Sequence, residues 1–235
     1  SNPNVLNMII EHGFQPSGGR GGRGGGRGGR GGGQPNPDYA DMTKLGTGIY
    51  RSENGGDSWE FVNRYNSRPF YYSHIYINPL DEDLVYVLAS NLQKSEDGGR
   101  TLQGVSIQSF HPDHHALWLD PDNKDRYYIG NDGGIHLTHD QGNSMTSFDN
   151  LPIGQFYAVG VDMRDPYYIY GGLQDNYSWG GPSRSRDAMG ILNDHWYTVA
   201  GGDGFHAQVD PTDWRILYRD SQNGNISRIN VETRE

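Results

Sequence analysis

Ser95-Glu96-Asp97-Gly98-Gly99-Arg100-Thr101 is a turn spelled out in side chains. A hydroxyl and a carboxylate two residues apart can take neighbouring backbone N–H groups, and the glycines accept a positive φ. An earlier copy, Ser52-Glu53-Asn54-Gly55-Gly56-Asp57-Ser58-Trp59, and a looser later one, Thr138-His139-Asp140-Gln141-Gly142-Asn143-Ser144, begin 43 residues to either side. A fixed period of that length with β-rich flanks predicts stacked four-stranded units, the blades of a β-propeller. Ser52, Asn54, Gly56, Trp59, Ser95, Asp97, Gly99, Thr138, Asp140 and Gly142 therefore read as turn-builders and not as catalysts.

The three segments resemble the Asp-box, or BNR repeat, with the pattern Ser-x-Asp-x-Gly-x-Thr-Trp. The first departs at Asn54, the second ends in Leu102, and the third has Thr138 and Met145 at its ends. Asp-boxes occur in sialidases, xyloglucan-cleaving glycoside hydrolases, sortilin-type receptor domains and photosystem assembly factors. The resemblance therefore implies a fold and leaves the function open.

Composition narrows the classes. The chain has 235 residues, hydrophobic residues are 33% and aromatics 12%, with 16 Tyr and 5 Trp. That suits many short strands with aromatic cross-strand pairs. A net charge of −10 argues against general nucleic-acid binding, which needs a basic face. With no cysteine there is no disulfide scaffold and no thiol nucleophile. No apolar run is long enough to span a membrane as a helix. No signal peptide is visible, but the chain opens in what reads as mid-repeat.

Along the chain, residues 4–11 read as a strand. Ser17 to Gln34, with 12 glycines and four arginines, cannot bury enough apolar surface to order itself and is expected to be a disordered loop insertion. It lacks the aromatic residues that stack on bases, so a flexible linker is favoured over a nucleic-acid tether. First strands of each unit are expected at His74–Asn78, His115–Asp120, Tyr157–Asp162 and Phe205–Asp210. Second strands follow at Leu84–Leu88, Arg126–Ile129, Tyr167–Tyr170 and Arg215–Tyr218. Third strands follow at Leu92–Ser95, Gly134–Thr138, Tyr177–Trp179 and Ile226–Ile229. The whole chain, 1–235, then counts as about five blades, with the first lacking its inner strand and the last its outer one. The remaining blades of a longer chain would complete it.

In an antiparallel blade, the first-to-second and third-to-fourth turns share one end of the sheet. The second-to-third turns and the links between blades share the other, where binding residues on such scaffolds gather. That second set holds His114, His115, Asn131, Gln155, Gln174, Asn176, Gln222 and Asn223 as ligand-binding candidates. It also holds Asp132, Asp175 and Asp203, the carboxylates that glycoside hydrolysis would draw on. Beside glycine, each aspartate reads equally as a turn residue. His111, His114 and His115 with Asp113 have metal-ligand chemistry, but a hydrogen-bonded structural role is favoured and no metal or cofactor is expected. Trp179, Trp196, Tyr72 and Tyr157 could stack on sugar rings, with core packing the default.

Asp113-His-His-Ala-Leu-Trp118, Gly130-Asn-Asp-Gly-Gly-Ile135, Leu151-Pro-Ile-Gly-Gln-Phe-Tyr157, Gly171-Gly-Leu-Gln-Asp-Asn176, Trp179-Gly-Gly-Pro-Ser183 and Gly201-Gly-Asp-Gly-Phe205 are together similar to the large bacterial BNR-repeat proteins of the glycosyl hydrolase or sortilin N-terminal-domain type. The resemblance implies an exported protein, secreted or periplasmic, that acts on or binds a polysaccharide. The alternative it implies is a non-catalytic, sortilin-like propeller for a peptide or protein ligand. The loops lack the arginine cluster a sialidase needs for the sugar carboxylate, so that activity is not expected.

Overall fold

The computed structural model describes residues 2–11, 46–67, 72–105, 111–151 and 153–233. The glycine–arginine run lies outside them. The described residues are all-β and form five antiparallel sheets, each a meander of strands in chain order. The first sheet has three strands, β1 (Leu6–Ile10), β2 (Gly48–Ser52) and β3 (Glu60–Asn63). The second has β4 (His74–Asn78), β5 (Asp81–Leu88), β6 (Gln93–Ser95) and β7 (Gln103–Gly104). The third has β8 (His114–Leu119), β9 (Tyr127–Asn131), β10 (Gly134–Thr138) and β11 (Thr146–Ser147). The fourth has β12 (Phe156–Val161), β13 (Tyr168–Leu173), β14 (Ser178–Pro182) and β15 (Tyr197–Ala200). The fifth has β16 (Gly204–Val209), β17 (Ile216–Ser221) and β18 (Asn225–Asn230). Successive four-stranded meanders of this size are the blades of a β-propeller fold.

Three strand-to-strand connections, β2–β3, β6–β7 and β10–β11, carry the repeated turn, and the three copies fold alike. In the second, Gly99 N–H donates to Ser95 Oγ (2.8 Å), Ser95 Oγ–H to Asp97 Oδ1 (2.7 Å), and Thr101 N–H to Asp97 Oδ1 (2.7 Å). The first repeats this with Gly56 N–H to Ser52 Oγ (2.9 Å) and Ser58 N–H to Asn54 Oδ1 (3.0 Å). The third has Gly142 N–H to Thr138 Oγ1 (2.9 Å) and Ser144 N–H to Asp140 Oδ1 (2.8 Å). Two consecutive left-handed residues close each turn: φ is 72° and 96° at Gly98 and Gly99, and Gln141 takes the first place in the third copy at 58°. An amide oxygen at Asn54 accepts the same N–H as a carboxylate, so the sequence departures leave the geometry intact.

The fourth sheet breaks the pattern. Its β14–β15 connection is a longer segment with a single 3-10 turn at Asn193–His195. Its third strand also starts at Ser178, one residue later than the sequence places it and runs on to Pro182, because Tyr177 is left-handed (φ 69°) and belongs to the preceding turn.

The described residues divide into two compact units, Ser1–Asn131 with Ile135–Ser147, and Asp132–Gly134 with Phe148–Glu235. In the first, Leu84, Tyr86, Leu88, Leu92, Leu117, Tyr127 and Ile129 make the core between the second and third sheets. Tyr86 and Tyr127 meet edge to face at 5.0 Å, the geometry the ring quadrupoles favour. Between the first and second sheets, the buried Arg51 guanidinium donates to the Glu82 carbonyl (2.9 Å) and to Asp83 Oδ1 (3.1 Å). It lies against Gly98, where a Cβ would come within 2.6 Å of it. In the second unit, Tyr170, Ala207, Leu217 and Val231 form the core between the fourth and fifth sheets. There β13 and β16 touch backbone to backbone, since a Cβ at Gly172 would strike Gly204 and Phe205.

Candidate functional site

Five chain segments meet at one end of the fourth and fifth sheets: the β9–β10 turn, the start of β12, the β13–β14 turn, the β15–β16 link and the β17–β18 turn. Hydrogen bonds tie them together. Asp203 Oδ1 accepts the Asp175 backbone N–H (2.7 Å). Asn176 Nδ2 donates to the Asp132 carbonyl (2.7 Å) and to the Gln174 carbonyl (2.9 Å). Gln174 N–H donates to the Gln155 carbonyl (3.1 Å), and Tyr177 N–H to the Gly202 carbonyl (3.0 Å). Trp179 Nε1–H caps the Asn176 carbonyl (2.6 Å). The β13–β14 turn can offer these groups because Asp175 and Tyr177 both sit in the left-handed region. Gln222 arches over Gly202, and Asn223 is left-handed at the tip of its turn (φ 64°).

Of the residues singled out in the sequence, Asp132, Gln155, Gln174, Asp175, Asn176, Asp203, Gln222 and Asn223 therefore share this end of the second unit. Asp203 and Asp175 are neighbours, and the Asp203 carboxylate holds a backbone. Partial burial and the charges of Asp203 and Asp175 hold the Tyr157 hydroxyl above its ordinary range. Tyr157 stacks on Phe205 at 4.9 Å and 11° between ring planes. The sequence offered Tyr157 as a stacking residue; Phe205 and Tyr177 escaped notice. The pairing of Tyr157 with Phe205 arises between two sheets, and no local pattern announces it.

His114, His115 and Asn131 lie in the first unit and do other work. His114 is 2% exposed, and burial drives its imidazole pKa down to about 4. The His115 ring lies 4.5 Å from Tyr72, whose hydroxyl bonds to the Asp113 carboxylate. Asn131 Nδ2 donates to the His111 carbonyl (2.7 Å) and its Oδ1 faces His136 Nε2 (3.1 Å), which places that ring's proton on Nε2. His136 Nδ1 then accepts from Ser147 Oγ (2.8 Å). Trp196 packs over Gly181, as the core-packing default expects.

The two best-formed depressions of the described surface lie elsewhere, in the first unit. One is bounded by Lys94, Glu96, Asp97, Thr101 and Gln103, the other by Asp81, Leu84, Glu96, Lys124 and Gln141. The five-segment end is thus an open surface.

No protein-family model matches the chain, and no curated protein matches it. Among solved structures it is similar to the GH74 enzyme of Niastella koreensis (16% identity, TM-score 0.38), covering 74% of this chain and 30% of that one. It is similar to the GH74 xyloglucanase from Xanthomonas campestris (16%, TM-score 0.36), with 77% and 26% covered. It is also similar to YCF48 bound to D1 peptide (11%, TM-score 0.35), with 78% and 58% covered. The chain thus spans less than a third of the length of either GH74 enzyme and under two thirds of YCF48. Likenesses at these scores bear on neither site nor activity.

Proposed function

We propose that this chain is the ligand-binding part of a β-propeller protein, and that it binds through the loop end of the fourth and fifth sheets. The carrying observation is the bond from Asp175 N–H to Asp203 Oδ1, which joins two loops of different sheets beside the stacked Tyr157 and Phe205. Fixed polar groups beside an exposed aromatic face are what recognition of a hydroxyl-rich or peptide ligand requires. The open surface favours binding without chemistry, because hydrolysis relies on a site that encloses its substrate and excludes bulk water. Location outside the cytoplasm belongs to the same proposal and rests on the likeness of the repeated turns to Asp-boxes.

Calorimetry of the chain against soluble polysaccharides and peptides tests it. Asp175→Asn and Gln174→Ala should weaken whatever binds, with melting temperature unchanged, while Asp97→Ala leaves binding alone. Binding that ignores the loop variants and falls with Asp97 would sink the proposal.

A second reading, glycoside hydrolysis, is favoured by the adjacency of Asp175 and Asp203, with Asp132 tied in through Asn176. Two carboxyl groups about 5–10 Å apart are what such chemistry uses. Release of reducing ends from xyloglucan, abolished by Asp203→Asn at unchanged binding, would establish it.

A further inference from the structure

We propose that the loop end of the fourth and fifth sheets recognises a guanidinium, the arginine side chain of a peptide or protein partner stacked on the outer face of Tyr157. This rests on the binding reading above and specifies its ligand.

The feature is an exposed aromatic surface. Tyr157 is 47% exposed although stacked on Phe205, and Tyr177 beside Gly201 is 49% exposed. Large rings left in water at a hydrogen-bonded junction of loops mark a contact surface. Charge says what covers it. The five segments carry three carboxylates, Asp132, Asp175 and Asp203, and not one lysine or arginine. The nearest cation, Arg219 of β17, has its Nε and Nη1 shut away from solvent. An aromatic face beside uncompensated carboxylates attracts a cation twice, through the ring quadrupole and through charge. The upward displacement of the Tyr157 pKa is the same field felt by a hydroxyl of this chain.

The cation is organic. Among the described residues no three histidine or acidic side chains come together to hold a metal ion. Its shape follows from a precedent at the opposite end of these same two sheets. There Arg164 lies 3.8 Å over the Tyr168 ring and 4.1 Å over Trp214, and its Nη2 reaches Asp162 Oδ2 at 2.5 Å and the Tyr170 hydroxyl at 2.9 Å. The unit thus already houses one guanidinium between aromatic faces and a carboxylate. The loop end presents those ingredients with no cation of its own. A planar guanidinium suits Tyr157 better than an ammonium, because it stacks flat and still directs N–H groups sideways to Asp175 and Asp203.

The test titrates the ¹⁵N-labelled chain with Nα-acetylargininamide and, in parallel, with its neutral isostere Nα-acetylcitrullinamide, a xyloglucan oligosaccharide serving as the third ligand. We expect saturating amide shifts at Tyr157, Asp175, Asp203 and Phe205 with the arginine probe alone, weakening as salt is raised. Tyr157→Leu and Asp175→Asn should each weaken it by about threefold to tenfold. Asp175→Asn keeps the left-handed turn, since asparagine tolerates a positive φ. Equal response to citrulline, no response to arginine, or shifts scattered over the acidic surface would each overturn the guanidinium and leave the binding face standing. Oligosaccharide shifts on the same amides without arginine would assign that face to a sugar. Silence there with all three ligands overturns the guanidinium, and the binding face falls with it if the wider polysaccharide and peptide panel also fails.

Discussion

Asp97 and Asp140 show how much of this fold is decided by single carboxylates. Hydrogen bonds from Ser144 and Thr138 hold the Asp140 carboxyl down at about 2. For Asp97, partial burial pulls the other way, and the bonds from Thr101 and Ser95 outweigh it, leaving the group below the usual carboxylate range. A group whose folded pKa is depressed stabilises the fold above its unfolded pKa and loses that contribution as pH falls through the folded one. The turn bonds should therefore hold to about pH 4 and fail toward pH 2. Asp97→Ala should cost on the order of 1 kcal/mol in denaturant titration at neutral pH, with the loop end still competent to bind. His114 obeys the same sign with a base. Its pKa falls from 6.5 unfolded to about 4 folded, so the unfolded state takes up the proton first. Stability should decline as pH drops from about 6.5 to about 4, and melting temperatures of His114→Asn over that range should show a flatter slope. An unchanged slope would mean that another group governs it.

Between residue and sheet, glycine sets how closely elements approach. Gly172 of β13 lies against Gly204 of β16, directly beneath the candidate site. Gly172→Ala should force the two strands apart, costing about 1–3 kcal/mol and disturbing the Asp175–Asp203 bond above. Thermal melts and backbone shifts at Asp175 check both. Gly98→Ala should be comparably harmful for two reasons, the Arg51 guanidinium within 2.6 Å of the new Cβ and a φ of 72°. The fourth sheet, with no repeated turn, instead seats Trp196 on Gly181. Its β14–β15 connection carries no hydroxyl-x-carboxylate spacing, which is why its third strand was the hardest to bound from sequence.

At the scale of the whole molecule, charge is distributed unequally over the second unit. Its hairpin end pairs Asp162 with Arg164 and Asp213 with Arg215, while its loop end keeps Asp132, Asp175 and Asp203 without a basic partner. Any acidic ligand should therefore bind this end worse than a neutral one of equal size, and a cationic ligand better. Competition between succinylated and unmodified forms of one peptide, read by calorimetry, checks the direction.

The sequence by itself determined the sheet array. A 43-residue period, turn residues that satisfy their own backbone, and strands bounded by Asx-Pro turns are local signals, each readable within a few residues. The parity of turns within a blade then grouped Asp132, Asp175 and Asp203 with the amide-bearing loops, before any distance was known. Only the tertiary structure decided what those residues do there. It turned Asp203 inward to hold the Asp175 backbone, buried His114 in a strand, drew Asn131 to His111 and His136, and set Phe205 under Tyr157. The reason is physical: a turn is closed by its own atoms, whereas burial, stacking and charge imbalance arise between segments far apart in the chain.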